Sequence, residues 1–265
     1  MRKHSPIIYI FLIVTALSLI IPLLYVILLS FSGNGDKSIG NFTIENYVFI
    51  AQKYNFLKLY KNSLIVSISS LLLCITFSTM AAFALHKINF GFNKYITAIF
   101  FIGLLMPGQV LIVPVYQVIA NIGLLDTRLG LILYYVGSGM PFAIFFIGAQ
   151  VKSLPIQLLE AAKIEGASMF KVYRSIVLPY IKPAVVTLSI MNFIGYWNEM
   201  YYAMILLQNP DKKTLTAEMI TLSKVFGNKF ELLYAGLILA AVPIIIFYAF
   251  FHDKINYGEN SGAVK

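Results

Sequence analysis

Charge is the first thing this chain lacks. Asp, Glu, Lys and Arg make up 12% of its 265 residues, against about 25% in soluble domains. A water-soluble globular enzyme is excluded on that ground. Cysteine is nearly absent as well. Cys74 stands alone, which rules out an intrachain disulfide framework and any Cys-only metal site. It sits in an apolar run and reads as a small packing residue. The metal-protease pattern HExxH, the nucleophile elbow GxSxG and the phosphate loop GxxxxGK[ST] do not occur. The chain therefore has no ATPase site of its own, and no metal ligands or catalytic residues are expected.

What is present is hydrocarbon. The chain is 59% hydrophobic, with a mean hydropathy of +0.82. Six runs reach the ~17–25 residues that cross a bilayer. They are 7–31, 64–85, 95–120, 129–151, 183–207 and 232–251, and they predict an all-α polytopic membrane protein, a single transmembrane domain over 1–265. MRKHSP opens like the charged head of a signal peptide. The run behind it is longer than the ~7–15 residues of such a segment, so it reads as a retained first span.

The net charge of +9 comes from 20 Lys and Arg scattered through short loops, not gathered on one stripe. It fits a bilayer with anionic lipids rather than nucleic acid. Six spans put both termini on one side. With that side inside, inner segments hold eleven of the basic residues and outer loops nine. The bias toward cytoplasmic termini is small.

Ser63, Ser67 and Ser70, then Ser78 and Ala82, line one face of the second span, a pattern that lets helix backbones pack closely. Pro107 and Pro114 predict a kink in the third span. Loop 208–231 spaces Leu215, Met219, Leu222, Val225 and Phe226 as an amphipathic helix. Asn41-Phe42-Thr43 is a formal sequon, best explained by chance.

The stretch EAAKIEGASMFKVYRSIVLP, residues 160–179, is polar and lies between two spans. Pro155 suits the first turn of a helix. Leu154, Leu158, Ala161 and Ala162 then share a face. Gly166 is placed to end that helix, and Ser168 to cap a second one. Met169, Val172, Tyr173, Ile176 and Val177 form its apolar face, and Pro179 and Pro183 are expected to stop it before the fifth span. The result is a compact helix–turn–helix. By itself it reads equally as an interfacial loop or as a docking element.

The spacing of Glu160-Ala161-Ala162, Gly166, Ile176, Leu178 and Pro179 resembles the cytoplasmic loop of permease subunits in binding-protein-dependent ABC importers. The likeness extends over nearly the whole chain and is nearest the maltose-type sugar permeases. It rests also on MPGQVLIVPVYQVIANIGLLDTRLGLIL (106–133), Trp197-Asn198-Glu199, Asn46-Tyr47, Asn62-Ser63 and the ending Gly262-Ala263-Val264-Lys265. His252-Asp253 and loop 208–231 depart from the family pattern, which bears on the substrate. The resemblance implies a bacterial cytoplasmic-membrane location with residues 152–182 and both termini cytoplasmic. It implies that Glu160, Ala161, Ala162, Gly166, Ala167, Phe170 and Arg174 form an ATPase-coupling surface. The partners it implies are two ABC ATPase copies, which bind ATP and Mg, a second permease subunit and an extracytoplasmic sugar-binding protein. No cofactor is expected on this chain.

Glu199 is the one carboxylate inside the six runs, about 16 residues into the fifth. A charge at that depth should face the bundle interior or water. Asn192, Tyr196, Asn198 and Tyr202 make the same segment polar. These five residues read either as a lining of the sugar pathway or as an inter-subunit hydrogen-bond network with Trp197 as interfacial anchor. An oligosaccharide is the default substrate, with glycerol-3-phosphate or another polyol-like solute as alternative. A secondary transporter would not need the two-part loop, and an intramembrane enzyme would need a second catalytic group at depth.

Overall fold

The computed structural model describes residues 6–33, 42–227 and 229–260. The sequon at Asn41 and the Gly262–Lys265 ending lie outside the described residues. The described chain is helical, with a single isolated bridge between Ser32 and Phe42. It forms two compact units. One holds the chain up to Leu57 together with Glu218–Val242, and the other holds Lys58–Ala217 and the chain from Pro243.

The helices are α1 (Pro6–Ser30), α2 (Glu45–Lys53), α3 (Phe56–Lys87), α4 (Asn93–Leu105), α5 (Ile112–Asn121), α6 (Arg128–Ser153), α7 (Ile156–Ile164), α8 (Met169–Val172), α9 (Leu178–Asn198), α10 (Tyr201–Leu206), α11 (Leu215–Phe226) and α12 (Phe230–Asn260). Among the described residues five stretches are long and apolar enough to cross a bilayer, and a sixth exists if the bent pair α4–α5 counts as one span.

In the first unit the α1 end is closed by a side chain. The amide nitrogen of Asn46 donates to the Ser30 and Ser32 carbonyls at 2.9 and 2.8 Å. Helix ends leave carbonyls without partners, and an amide that reaches back supplies them. The Ser30 and Tyr47 hydroxyls lie 2.7 Å apart. Along α11, Met219, Leu222 and Phe226 are buried as their spacing predicts. Val225 instead is exposed, because it stands three residues from Leu222 but on the edge of the stripe.

In the second unit the small residues of α3 are buried, Ser67, Ser70, Ser78 and Ala82 included. Cys74, Ala82 and Phe83 pack into one core with Ala143, Ile147 and Val151 of α6 and Ile181, Ala184 and Leu188 of α9. Packing of small side chains in lipid substitutes for a hydrophobic driving force that the bilayer does not provide.

Two spans differ from the expectation. The third is broken rather than kinked: α4 and α5 meet at 97° across a short 3₁₀ turn, Gly108–Leu111. Met106 and Pro107 are extended there, as the residue before a proline prefers. Pro114 lies in the first turn of α5, where the missing N–H costs nothing.

The second difference is that Pro179 and Pro183 stop nothing. Helix runs from Met169 through to Asn198. A π turn, Tyr173–Val177, makes this possible, with the Leu178 N–H donating to the Tyr173 carbonyl five residues back. The wider turn ends just before Pro179, which falls in the first turn of the next α segment. At Pro179 both features of proline that break helices, its ring and its absent donor, are thereby accommodated, while Pro183 lies inside α9.

Candidate functional site

The helix–turn–helix at one end of the second unit is built by local rules. α7 ends at Ile164, and Gly166 takes φ +72°. Other residues there would pay roughly 1–2 kcal/mol. The Ala167 N–H donates to the Ala162 carbonyl at 2.9 Å, closing the helix end. The Ser168 hydroxyl accepts from the Lys171 N–H at 3.3 Å and caps α8.

The face turned to the core differs from the expected one. Leu154, Leu159 and Ala162 are buried, whereas Leu158 and Ala161 are exposed. Leu154 precedes α7, so the helical phase starts from Leu159 rather than from it. On the second half Val172, Tyr173 and Val177 are buried as predicted, and Met169 is exposed. The Tyr173 hydroxyl lies 2.8 Å from the Thr79 hydroxyl of α3. Lys87 of α3 donates to the Lys152 and Leu154 carbonyls at 3.2 and 2.7 Å, closing the end of α6.

What remains uncovered is a cap of apolar side chains with charges of both signs. Ile164 is 88% exposed and Phe170 65%. Glu160, Ala161, Gly166 and Arg174 are exposed, Ala167 is half-buried and Ala162 is buried beneath them. Among the described residues the Glu160 carboxylate has no hydrogen bond or ion pair. It edges a notch of about 70 Å³ with Lys163, Met169 and Lys87.

The second candidate site lies where α9 gives way to α10. Glu199 leaves the helix with an extended backbone. Its carboxylate then accepts from the Tyr202 N–H at 3.0 Å and the Ala203 N–H at 3.1 Å, capping α10. The Tyr135 hydroxyl donates to the same group at 3.0 Å. Tyr202 stacks on Tyr134 with ring centroids 3.7 Å apart, and its hydroxyl donates to the Gly108 carbonyl at 2.5 Å. The break in the third span and the break in the fifth are thus joined.

Asn198, Glu199 and Tyr202 line one cavity of about 380 Å³, together with Gln109, Tyr134 and Tyr201. The other two residues of the predicted set stand apart. Tyr196 stacks behind the site on Tyr135, rings 5.2 Å apart and 5° from parallel. Asn192 is buried with its amide 3.6 Å from the Cys74 sulfur. Trp197 is not an interfacial anchor. It is 2% exposed, between Tyr60 and Phe193. The indole follows the buried face of α9, while Asn198 one residue on points out.

Sequence reasoning missed Tyr134, Tyr135 and Gly108, which complete this site. A tyrosine pair inside an apolar span was the available signal. It also missed Asp126, whose φ is +55°. The Asp126 carboxylate accepts from the Gln208 and Asn209 N–H groups at 3.0 and 2.9 Å, and Lys212 pairs with it at 3.1 Å. This clasp holds the loop before α6 to the loop after α10. Asn62 adds to the same region, donating to the Asp211 and Lys213 carbonyls at 3.0 and 2.9 Å.

A bundle with apolar spans, a polar cavity at two helix breaks and an uncovered helical pair at one end defines an integral membrane transport component. The chain belongs to the family of binding-protein-dependent transport system inner membrane components, whose model matches residues 74–256. The diacetylchitobiose uptake system permease NgcG of Streptomyces coelicolor is 31% identical over 272 residues, covering 100% of this chain and 90% of its own. The arabinooligosaccharide transport permease AraQ of Halalkalibacterium halodurans is 29% identical, covering 100% and 99%. In fold, the chain is similar to a subunit of a bacterial ABC transporter involved in alginate import, with a TM-score of 0.79 at 20% identity, over 96% of this chain and 99% of that one. A second structure of an alginate ABC transporter, in complex with a pentasaccharide-bound periplasmic protein, matches with a TM-score of 0.70 at 19% identity, over 92% of each chain.

Proposed function

We propose that this chain is the permease subunit of an importer for a neutral oligosaccharide, driven by ATP hydrolysis in partner subunits. The single observation that carries the reading is the chemistry of the 380 Å³ cavity. Its walls offer the rings of Tyr134, Tyr201 and Tyr202 and the polar groups of Gln109, Asn198 and Glu199. Aromatic faces with convergent amides and a carboxylate suit hydroxyl-rich rings, and the volume falls within the ~300–1,000 Å³ of small-molecule sites. Among the described residues no Lys or Arg lines it, and the carboxylate would repel a phosphate, so a glycerol-3-phosphate-like cargo is the weaker reading. The relatives named for diacetylchitobiose and arabinooligosaccharides point the same way.

In this reading Glu160, Ala161, Ala162, Gly166, Ala167, Phe170 and Arg174 dock two ATPase copies' side of the complex to the membrane domain. The exposed Ile164 and Phe170 side chains would be covered there. ATP and Mg belong to those ATPase subunits, and this chain holds no cofactor. A second permease completes the pathway, and a binding protein delivers the sugar from outside. Residues 152–182 and both termini face the cytoplasm.

The test is uptake by the assembled complex in proteoliposomes. Uptake of labelled chito- or arabino-oligosaccharides should require ATP, the binding protein and a co-purifying ATPase. Ion-gradient-driven uptake without ATPase would overturn the reading. Labelling of a Lys171→Cys variant by an impermeant reagent outside intact cells would overturn the orientation.

A further inference from the structure

A groove of about 610 Å³ runs between α4 and α6, away from the cavity at Glu199. At one end stand Lys94, Lys152 and His86. Apart from Thr97, the rest of its wall is aromatic and aliphatic, with Phe101, Leu104 and Phe145 exposed. Among the described residues no acidic side chain lines it. Lys87, close by, is already committed to the carbonyls of Lys152 and Leu154. The Lys94 and Lys152 side chains are exposed and make no hydrogen bond or ion pair among the described residues. His86 is held in place against Gly148, where a Cβ would collide with its ring.

The dimensions match one leaflet. From Lys94 to Leu104 along α4 is ~15 Å, and from Pro141 to Lys152 along α6 is ~16 Å. Half of a bilayer's hydrocarbon core is also ~15 Å. The basic end lies at the helix termini beside α7, where headgroups would stand, and the apolar wall extends inward by one acyl-chain depth.

We propose that this groove is a binding site for an anionic phospholipid. The headgroup phosphate would lie among Lys94, Lys152 and His86, and one acyl chain along Phe101, Leu104 and Phe145. Uncompensated cations at the mouth of an apolar groove between membrane helices complement such a lipid in both charge and shape. A zwitterionic lipid would satisfy the wall and not the mouth. Binding here would fasten the ends of α3, α4 and α6 next to the exposed helical pair, whatever sugar the complex carries.

The test uses the assembled transporter in nanodiscs of phosphatidylcholine, with and without phosphatidylglycerol. Native mass spectrometry after release counts the lipids retained. Wild type should keep phosphatidylglycerol in preference to phosphatidylcholine. Each lysine facing an anionic headgroup is worth about fivefold in affinity, so Lys94→Gln with Lys152→Gln should lose about 25-fold. Lys94→Arg with Lys152→Arg should retain binding, which separates lost charge from a damaged fold. A photo-crosslinking amino acid at position 101 should capture lipid. Equal retention by the glutamine pair, no preference for phosphatidylglycerol in wild type, or capture of another subunit at position 101 would each overturn the proposal.

Discussion

The Tyr135 hydroxyl of α6 and the Glu199 carboxylate after α9 are hydrogen-bonded at 3.0 Å, and Glu199 at the same time caps α10. One carboxylate therefore both ends a membrane helix and faces the cavity.

That double use separates two substitutions. Glu199→Ala removes the cap of α10 and leaves the Tyr135 hydroxyl only the long contact to the Glu199 main-chain carbonyl at 3.4 Å, at a cost of about 1–3 kcal/mol. Glu199→Gln keeps size and one acceptor but loses the charge. If the charge meets the cargo, Glu199→Gln should lower uptake while binding-protein affinity stays as in wild type. Thermal stability of the purified complex should fall for Ala and change less for Gln. Native uptake by the glutamine variant would leave Glu199 a helix cap alone.

At Gly166 the cost of substitution is backbone strain, since an added Cβ meets nothing within 4 Å. The order of tolerance should follow left-handed preference, with Asn best, Ala next and Val worst. Gly166→Val is expected to insert normally yet fail to transport. Equal uptake by Val and Asn variants would show that the turn does not need its geometry.

Glu160 stands exposed and unpaired among the described residues, beside a small notch. If it meets a cation of the ATPase, removing it strands the partner charge at ~2–5 kcal/mol. Glu160→Ala should reduce ATPase co-purification or uncouple hydrolysis from uptake. Unchanged values in both assays would make it a solvated surface charge.

Asp126 predicts a pH dependence. The Asn209 N–H, above all, holds its carboxyl below the usual range; burial opposes this, and Lys212 and the Gln208 N–H add to it. A carboxylate with a lowered folded value stabilises fully above its unfolded value of ~3.9, and that contribution fades as pH falls through the lower folded value. Wild type should therefore exceed Asp126→Ala in stability by about 1–2 kcal/mol near neutrality. The gap should narrow only below about pH 4. A gap that is already absent at pH 7 would show the clasp to be idle.

The parts of the molecule that could be read from the sequence are those that local chemistry decides. Gly166 and Ser168 mark the turn because a left-handed residue and a cap are needed within a few positions of one another. The membrane runs were legible because length and hydropathy suffice. The helix through Pro179 was not, because a π turn leaves no compositional mark. The 97° break at Pro107 read as a kink, since a proline shows where a helix yields but not by how much. Tyr134 and Tyr135 went unnoticed because their partners, Tyr202 and Glu199, are more than sixty residues away. The burial of Trp197 is likewise a matter of neighbours, not of its own chemistry.

The uninterrupted helix from Met169 to Asn198 has a mechanical meaning. Its 30 residues make a rod of about 45 Å. One end carries the exposed Phe170, and the other stops at Glu199. If a partner subunit pushed on the Phe170 end, a rod of this length would carry the push as a lever. A tilt of about 5° over that length would sweep the far tip by ~4 Å, close to the width of a sugar ring. The π turn near the loaded end is the place where such a lever could bend instead of swing, and stiffening or loosening those five residues would set the gearing.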